Sequence, residues 1–163
     1  MDCDIRPATP EDADAIWHIF REVVRSGDAF AYTEATTREE ALALWMGRDT
    51  RAWMAVCDGA IAGTYFVRPN QPGRGSHVAN AGFMVTATVR GRGVGRSMAL
   101  DALRQAKTLG YRAMQFNFVV SSNSAAVRLW QAICFAIVGT LPAAFDDAVQ
   151  GYVDVYVMSR PLD

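Results

Sequence analysis

Residues 85–96 read VTATVRGRGVGR, and no other stretch of this 163-residue chain carries as much chemistry. Upstream lies the apolar run HVANAGFMV; downstream lies SMALDALRQAKTLG, whose apolar residues recur at helical spacing. A strand, a glycine-rich turn and a helix start together form an anion site. The first N–H groups of a helix have no partner inside it and point at whatever stands before them. Glycine lets the backbone approach a ligand closely and take positive φ. A diphosphate is the natural guest, and spacing decides its kind. The dinucleotide fingerprint G-x-G-x-x-G would require glycine at 96, where Arg96 stands. The ATP-type G-x-x-x-x-G-K-[ST] fails because no Gly-Lys pair occurs. Q/R-x-x-G-x-G/A fits, with Arg90, Gly93 and Gly95 in register and Gly91, Arg92, Val94 and Arg96 completing the loop.

Three asparagines supply further polar chemistry. Asn123 stands at the mouth of the helical run SNSAAVRLW, where its amide can cap the helix and also reach a ligand. Asn80 and Asn117 interrupt apolar strands, and a buried strand asparagine is costly unless paired. Either they satisfy each other or the sheet backbone, or they clamp a polar substrate. No glutamate follows Glu40. An asparagine can orient an amine or a carbonyl but cannot accept a proton at neutral pH.

The elements that must position these groups follow from periodicity and turn chemistry. Cys3 to Arg6 reads as a strand. Thr9 caps a helix over 10–25, with Ile16, Phe20, Val23 and Val24 at helical spacing. AFAYTEAT is a loop, and Thr37 caps a second helix reaching Met46. Strands over 52–57 and 60–68 flank an Asp58-Gly59 hairpin turn. A strand over 77–85, a helix over 94–109, a strand over 112–120 and a helix over 122–133 follow. Strands over 135–140 and 152–158, joined by a loop containing Pro142, close the chain. The order β-α-α-β-β-β-α-β-α-β-β predicts an α+β (α/β) fold, a single mixed sheet with helices on its faces, in one domain over 1–163.

Composition narrows the class. Hydrophobic content of 51% and charged content of 20% suit a soluble globular protein without a membrane span, and the N-terminus does not read as a signal peptide. Three widely spaced cysteines, Cys3, Cys57 and Cys134, predict reduced thiols in a cytoplasmic protein, with no disulfide framework and no metal site. Residues 1–58 hold six arginines against twelve acids, whereas residues 59–145 hold nine basic residues against Asp101 alone. The basic stretch contains the glycine loop and would attract a polyanionic ligand. Nucleic acid is disfavoured as that ligand, since the basic residues form no dense run with interleaved aromatics and the pI is about 6.1.

These motifs resemble the GCN5-related N-acetyltransferase superfamily, whose pyrophosphate loop is Q/R-x-x-G-x-G/A and whose element order is the one read here. Asn123 to Trp130 also resembles the family pattern N-x-x-A-x-x-L-Y, followed by Phe135. The resemblance implies the acyl-CoA N-acyltransferase fold, with a mostly antiparallel sheet, and acetyl-CoA as the acetyl donor. It implies that Asn123 contacts coenzyme A and that strand backbone at Phe83 to Val85 pairs with the pantetheine amides and polarises the thioester. The amine would attack directly, with no acyl-enzyme. Two family groups are replaced. Trp130 stands where a tyrosine often protonates the leaving thiolate, and would pack on the pantetheine arm or fill the core. Cys134 stands in place of a glycine and reads as a buried hydrophobe. A proton could then come from Tyr152, Tyr156 or Cys134, and Asn80 stands in the neighbourhood of the usual glutamate base. NAGFMV, RGRGVG, FNFVVSSNSAAVRLW and GYVD together resemble the fungal azetidine-2-carboxylate N-acetyltransferases and their bacterial relatives. That likeness gives Asn80 and Asn117 to the substrate and Asn123 to the cofactor. The opening is similar to phosphinothricin-type acetyltransferases. The implied acceptor is a small-molecule amine or amino acid, bound between the N-terminal segment and the sheet. A protein N-terminus or lysine, a non-catalytic acyl-CoA-binding domain, and a homodimer stay open.

Overall fold

The computed structural model describes residues 3–162. Its elements are β1 (Cys3–Pro7), α1 (Ala13–Ser26), α2 (Arg38–Met46), β2 (Arg51–Cys57), β3 (Ala60–Pro69), β4 (Val78–Val85), α3 (Val94–Thr108), β5 (Ala113–Val120), α4 (Ser124–Ala132), β6 (Ala136–Asp147) and β7 (Gly151–Pro161). The strands form one seven-stranded sheet in the order β1-β2-β3-β4-β5-β7-β6. Every neighbouring pair is antiparallel except β4–β5.

Period-two alternation divides the central strands between two cores. Met54, Phe66 and Met84 face α1 and α2, packing on Ile16, Phe20 and Trp45. Their neighbours Trp53, Tyr65 and Val67 face the other way, onto Met98, Ala102 and Trp130 of α3 and α4. Buried polar bonds fix the layers. Trp45 Nε1 donates to Thr64 Oγ1 (2.9 Å), which donates to the Trp53 carbonyl (2.8 Å), tying α2 to β3 and β2. On the opposite face the Tyr65 hydroxyl donates to the Asp101 carboxylate, and Arg104 pairs with the same group, tying β3 to α3. Burial and that carboxylate push the Tyr65 phenol pKa far up, so it stays protonated.

At α2 the expected cap forms. Thr37 Oγ1 accepts from the Glu40 N–H (3.2 Å) while the Glu40 carboxylate accepts from the Thr37 N–H (2.8 Å). At the first helix, residues 10–12 form a 3₁₀ turn before α1 begins. There the Asp12 carboxylate accepts from the Thr9 N–H (2.8 Å) and takes a two-bond fork from Arg6 (2.8 Å each).

Three expectations are corrected. Pro142 does not mark a loop: β6 runs from Ala136 through it to Asp147. β6 is an edge strand, so a residue without an N–H costs the ladder nothing on its open side. A bulge between Leu141 and Phe145 absorbs the extra residues, with Ala143 at φ +49° and its N–H on Asp154 Oδ1 (3.0 Å). The cysteines are not all thiols either. Cys3 and Cys57 form a disulfide. They stand 54 residues apart in sequence but directly opposite in the β1–β2 register, with Cα atoms 4.1 Å apart. The cysteine count therefore no longer argues for a reducing compartment. Cys134 is the free one, and it is exposed rather than a buried hydrophobe. It ends α4 at φ +68°, a backbone state that favours glycine. Among the described residues no helix is long and apolar enough to cross a membrane.

Candidate active site

β4 and β5 pair only at Val78–Ala113 and Ala79–Met114. Beyond those two pairs the strands part, and from Asn80 onward the β5-facing edge of β4 has no ladder partner among the described residues. Asn80 stands at the fork. Its Nδ2 donates to the Gln115 carbonyl (3.0 Å), which satisfies a backbone acceptor released by the splay and leaves Oδ1 without a partner among the described residues. Asn117 sits in a bulge of β5 between Phe116 and Val119, where alternation breaks. Its Nδ2 donates to Asn70 Oδ1 (2.7 Å) and its Oδ1 accepts from Gln115 Nε2 (2.9 Å). The two asparagines thus do not bond each other; both serve the widened part of the sheet.

A cleft of about 380 Å³ passes through this gap. One side carries Phe83, Asn123, Ala126 and Trp130; the other carries Phe30, Tyr32, Leu44 and Arg68. Asn123 caps α4, its Oδ1 accepting from the Ala126 N–H (3.2 Å), so its NH₂ remains available to a ligand. Trp130 takes the core-filling role. It is buried against Phe83 (5.1 Å between ring centroids) and Phe116 (4.6 Å), and it also lines the cleft.

The glycine loop leaves the end of β4 through a 3₁₀ turn over Ala87–Val89. Gly91 and Gly93 take φ +77° and +87°, and Gly93 is the residue that caps α3. The N–H groups of Gly91, Gly93, Val94, Gly95 and Arg96 meet no backbone acceptor among the described residues, the first α3 bond of the turn being Ser97 N–H to the Gly93 carbonyl (3.0 Å). Arg90, Arg92 and Arg96 are exposed and have no carboxylate partner among the described residues. A Cβ on Gly95 would lie 3.8 Å from both Leu129 of α4 and Val85 of β4, so the loop abuts the same elements that wall the cleft. Glu22 of α1 accepts from the Ala87 N–H and anchors the turn leading into the loop. Free N–H donors beside unpaired guanidinium groups match the chemistry of a diphosphate.

Tyr152 does not line the cleft. It lies at the end of the β6–β7 hairpin, paired with Asp146 and 76% exposed. Val153 packs inward on Val120, Phe145 and Val155, and alternation puts Tyr152 on the face of Tyr156 and Met158, outside the lining of the cleft. Ser122 donates to Asp147 (2.7 Å), so the hairpin end is fastened beside the start of α4. Tyr156 is half-buried, opposite Val119, and packs with the α3–α4 core. The phenol that does line the cleft is Tyr32, in the loop between α1 and α2. Its ring packs on Phe20 (5.5 Å), and the only outward signal was a pair of aromatics, Phe30 and Tyr32, in an otherwise small and polar segment. Arg68 lines the cleft as well. Neither Asp nor Glu lines the cleft among the described residues.

The model of the Acetyltransferase (GNAT) family matches residues 14–134. A GCN5-related N-acetyltransferase from Kribbella flavida superposes with a TM-score of 0.93 at 45% identity, covering 98% of this chain and 97% of that one. N-acetyltransferase aca1 of Schizosaccharomyces pombe is 35% identical over 99 residues, 60% of this chain. That match spans about half, 47%, of the yeast protein's length. A phosphinothricin acetyltransferase from Sinorhizobium meliloti, solved in complex with AcCoA, shares the fold at a TM-score of 0.87 and 20% identity, covering 99% of this chain and 89% of that one.

Proposed function

Because this chain belongs to the Acetyltransferase (GNAT) family, we propose that it transfers an acetyl group from acetyl-CoA to the amine of a small molecule or amino acid by direct attack. The observation that carries this reading is the cleft through the unpaired β4–β5 gap, open to the α4 side and to the α1–α2 side at once. Acetyl-CoA supplies the acetyl group as an activated thioester. The Gly91–Arg96 N–H groups and Arg90, Arg92 and Arg96 would hold its diphosphate. Asn123 and the free edge of β4 at Phe83 to Val85 would take up its amide groups, with Trp130 beside them. β4 N–H groups would also stabilise developing negative charge on the acetyl oxygen. Asn80 and Asn117 would orient the acceptor, with Asn80 Oδ1 free to accept from an amine.

The acceptor's size is supported by the cleft volume, which falls in the range of small-molecule sites. A thiol-release assay with acetyl-CoA over a panel of small amines and free amino acids tests the reading. Turnover on a subset is the expected result. Acetyl-CoA binding without turnover on any amine overturns it, and turnover confined to peptides moves the acceptor to proteins. A homodimer belongs to the same proposal, supported by edge strand β6, whose Ile137, Val138 and Leu141 are exposed. Light scattering at assay concentration tests it, and a monomeric mass removes it.

A further inference from the structure

Arg68 is placed where an acceptor would be chosen. It lies on β3 directly opposite Asn80 of β4. It lines the cleft, and it also lines a second, outer cavity of about 650 Å³ that shares Asn80 and Asn117 with it. Among the described residues its guanidinium has no carboxylate partner. Arg48 and Asp49, both exposed, lie on the outer cavity alone. A carboxylate is the planar, two-oxygen group that matches the guanidinium fork.

The packing beneath it holds the guanidinium ready. Its central carbon is 4.9 Å from the centroid of the Phe66 ring. That ring lies against Gly82, where a Cβ would come within 2.5 Å of Phe66 Cε1, and it meets Trp45 edge-on at 4.7 Å. Gly82 therefore lets Phe66 lie close to β4, and Phe66 gives Arg68 a fixed face to stack on. An anion that pairs with Arg68 gives up less side-chain entropy than it would with a free surface arginine. Around the guanidinium the walls are apolar, from Phe30, Tyr32, Leu44 and Phe118.

We infer that Arg68 is the specificity-determining residue of the acceptor site: it binds a carboxylate of the acceptor, whose apolar body lies along the aromatic wall and whose amine faces the β4–β5 gap. The inference rests on the acetyl transfer proposed above. It assigns the acceptor to amines that carry a carboxylate and excludes polyamines, whose second cation would face Arg68.

Steady-state kinetics test it with L-proline, L-leucine, L-phenylalanine and L-methionine, each paired with its carboxamide, on the full chain and on Arg68→Met and Arg68→Lys. For the best-used pair the acid-to-amide ratio of kcat/KM should be about 10- to 100-fold higher in the wild type than in Arg68→Met, the scale of a hydrogen bond to a charged group. In Arg68→Met the fall in that ratio should come from a raised KM for the acid, with KM for acetyl-CoA left within about twofold. Arg68→Lys keeps the charge without the fork and should fall between the two. The amine basicity of acid and amide differs equally for every enzyme, so it cancels when their ratios are compared. An acid-to-amide ratio that is the same in the wild type and in an active Arg68→Met overturns the inference while acetyl transfer stands. A loss in Arg68→Met that falls on acid and amide alike overturns it too, giving Arg68 a structural role. If the wild type binds acetyl-CoA and acetylates no amine, the proposed reaction fails and this inference with it.

Discussion

Gly93 and Gly95 carry the same loop by different physics. Gly93 needs φ +87°, so any side chain there strains the backbone as well as filling space. Gly95 has ordinary backbone, and a Cβ would make only van der Waals contact with Leu129 and Val85. Gly95→Val should therefore fold with little loss of stability yet raise KM for acetyl-CoA about tenfold or more, because its methyls enter the space before the free N–H groups. Thermal melts beside KM measurements separate the two effects, and an unchanged KM would remove the loop from cofactor binding. Asn80 carries a double duty that sequence alone left as alternatives. Its NH₂ holds the Gln115 carbonyl and its Oδ1 has no partner among the described residues. Asn80→Ala should lower kcat/KM by the equivalent of about 1–3 kcal/mol with acetyl-CoA binding nearly unchanged. Full activity in a folded variant assigns Asn80 to the sheet alone. The asparagines were legible because an amide in an apolar strand is a visible anomaly. Arg68 and Tyr32 were not, because an arginine near a strand end and a tyrosine in a loop look like ordinary surface residues until tertiary packing brings them together at the cleft.

Local signals fixed most elements, and the failures are instructive. Capping residues and apolar spacing placed α1 to α4 because those cues act within a few residues. Pro142 misled because a proline reports only its own missing N–H, whereas the fate of a strand depends on whether a neighbour needs that donor. The Cys3–Cys57 pairing was hidden because register across β1 and β2 is a long-range property. Under denaturing but non-reducing conditions a thiol reagent should titrate one group, Cys134, and it should titrate three after reduction. Three without reductant would mean that the bond is absent in solution. The start of the first helix supplies a pH test. The Arg6 fork and the Thr9 N–H hold Asp12 down to a pKa of about 2, against an ordinary 3.8. A carboxylate with a depressed folded pKa stabilises fully above its unfolded value and loses that contribution as pH falls towards the folded one. Arg6 is partly exposed, so about 1–2 kcal/mol is at stake, and it should vanish between pH 4 and 2. Asp12→Asn should cost that amount at pH 7 and little at pH 2 in denaturant titrations. An equal cost at both pH values would assign the effect to packing.

At the scale of the molecule, the sheet separates two cores and the β4–β5 gap is where they communicate. α3 and α4 bring the basic loop and Asn123 to one side; α1, α2 and their connection bring Phe30 and Tyr32 to the other. This architecture also determines how protons are handled. No Asp or Glu lines the cleft among the described residues, the asparagines cannot accept a proton from an ammonium ion at neutral pH, and Tyr65 is locked on Asp101 in the α3 core. An amine bound there must already be neutral when it attacks. With subsaturating acceptor, the rate should rise with pH towards the pKa of the acceptor itself, and the inflection should move when acceptors of different basicity are compared. An inflection fixed at one pH for every acceptor would reveal an enzyme base reached through water and refute the reading. The acid side follows from the same geometry. Tyr152→Phe should leave turnover within about twofold, because Tyr152 is 76% exposed and does not line the cleft. Tyr32 is the phenol in the cleft, yet it sits on the α1–α2 side, opposite Asn123 and Trp130, so Tyr32→Phe should change acceptor KM rather than kcat. A fall in kcat of two orders of magnitude with either variant, acetyl-CoA binding intact, would identify a proton donor that the cleft as built does not require.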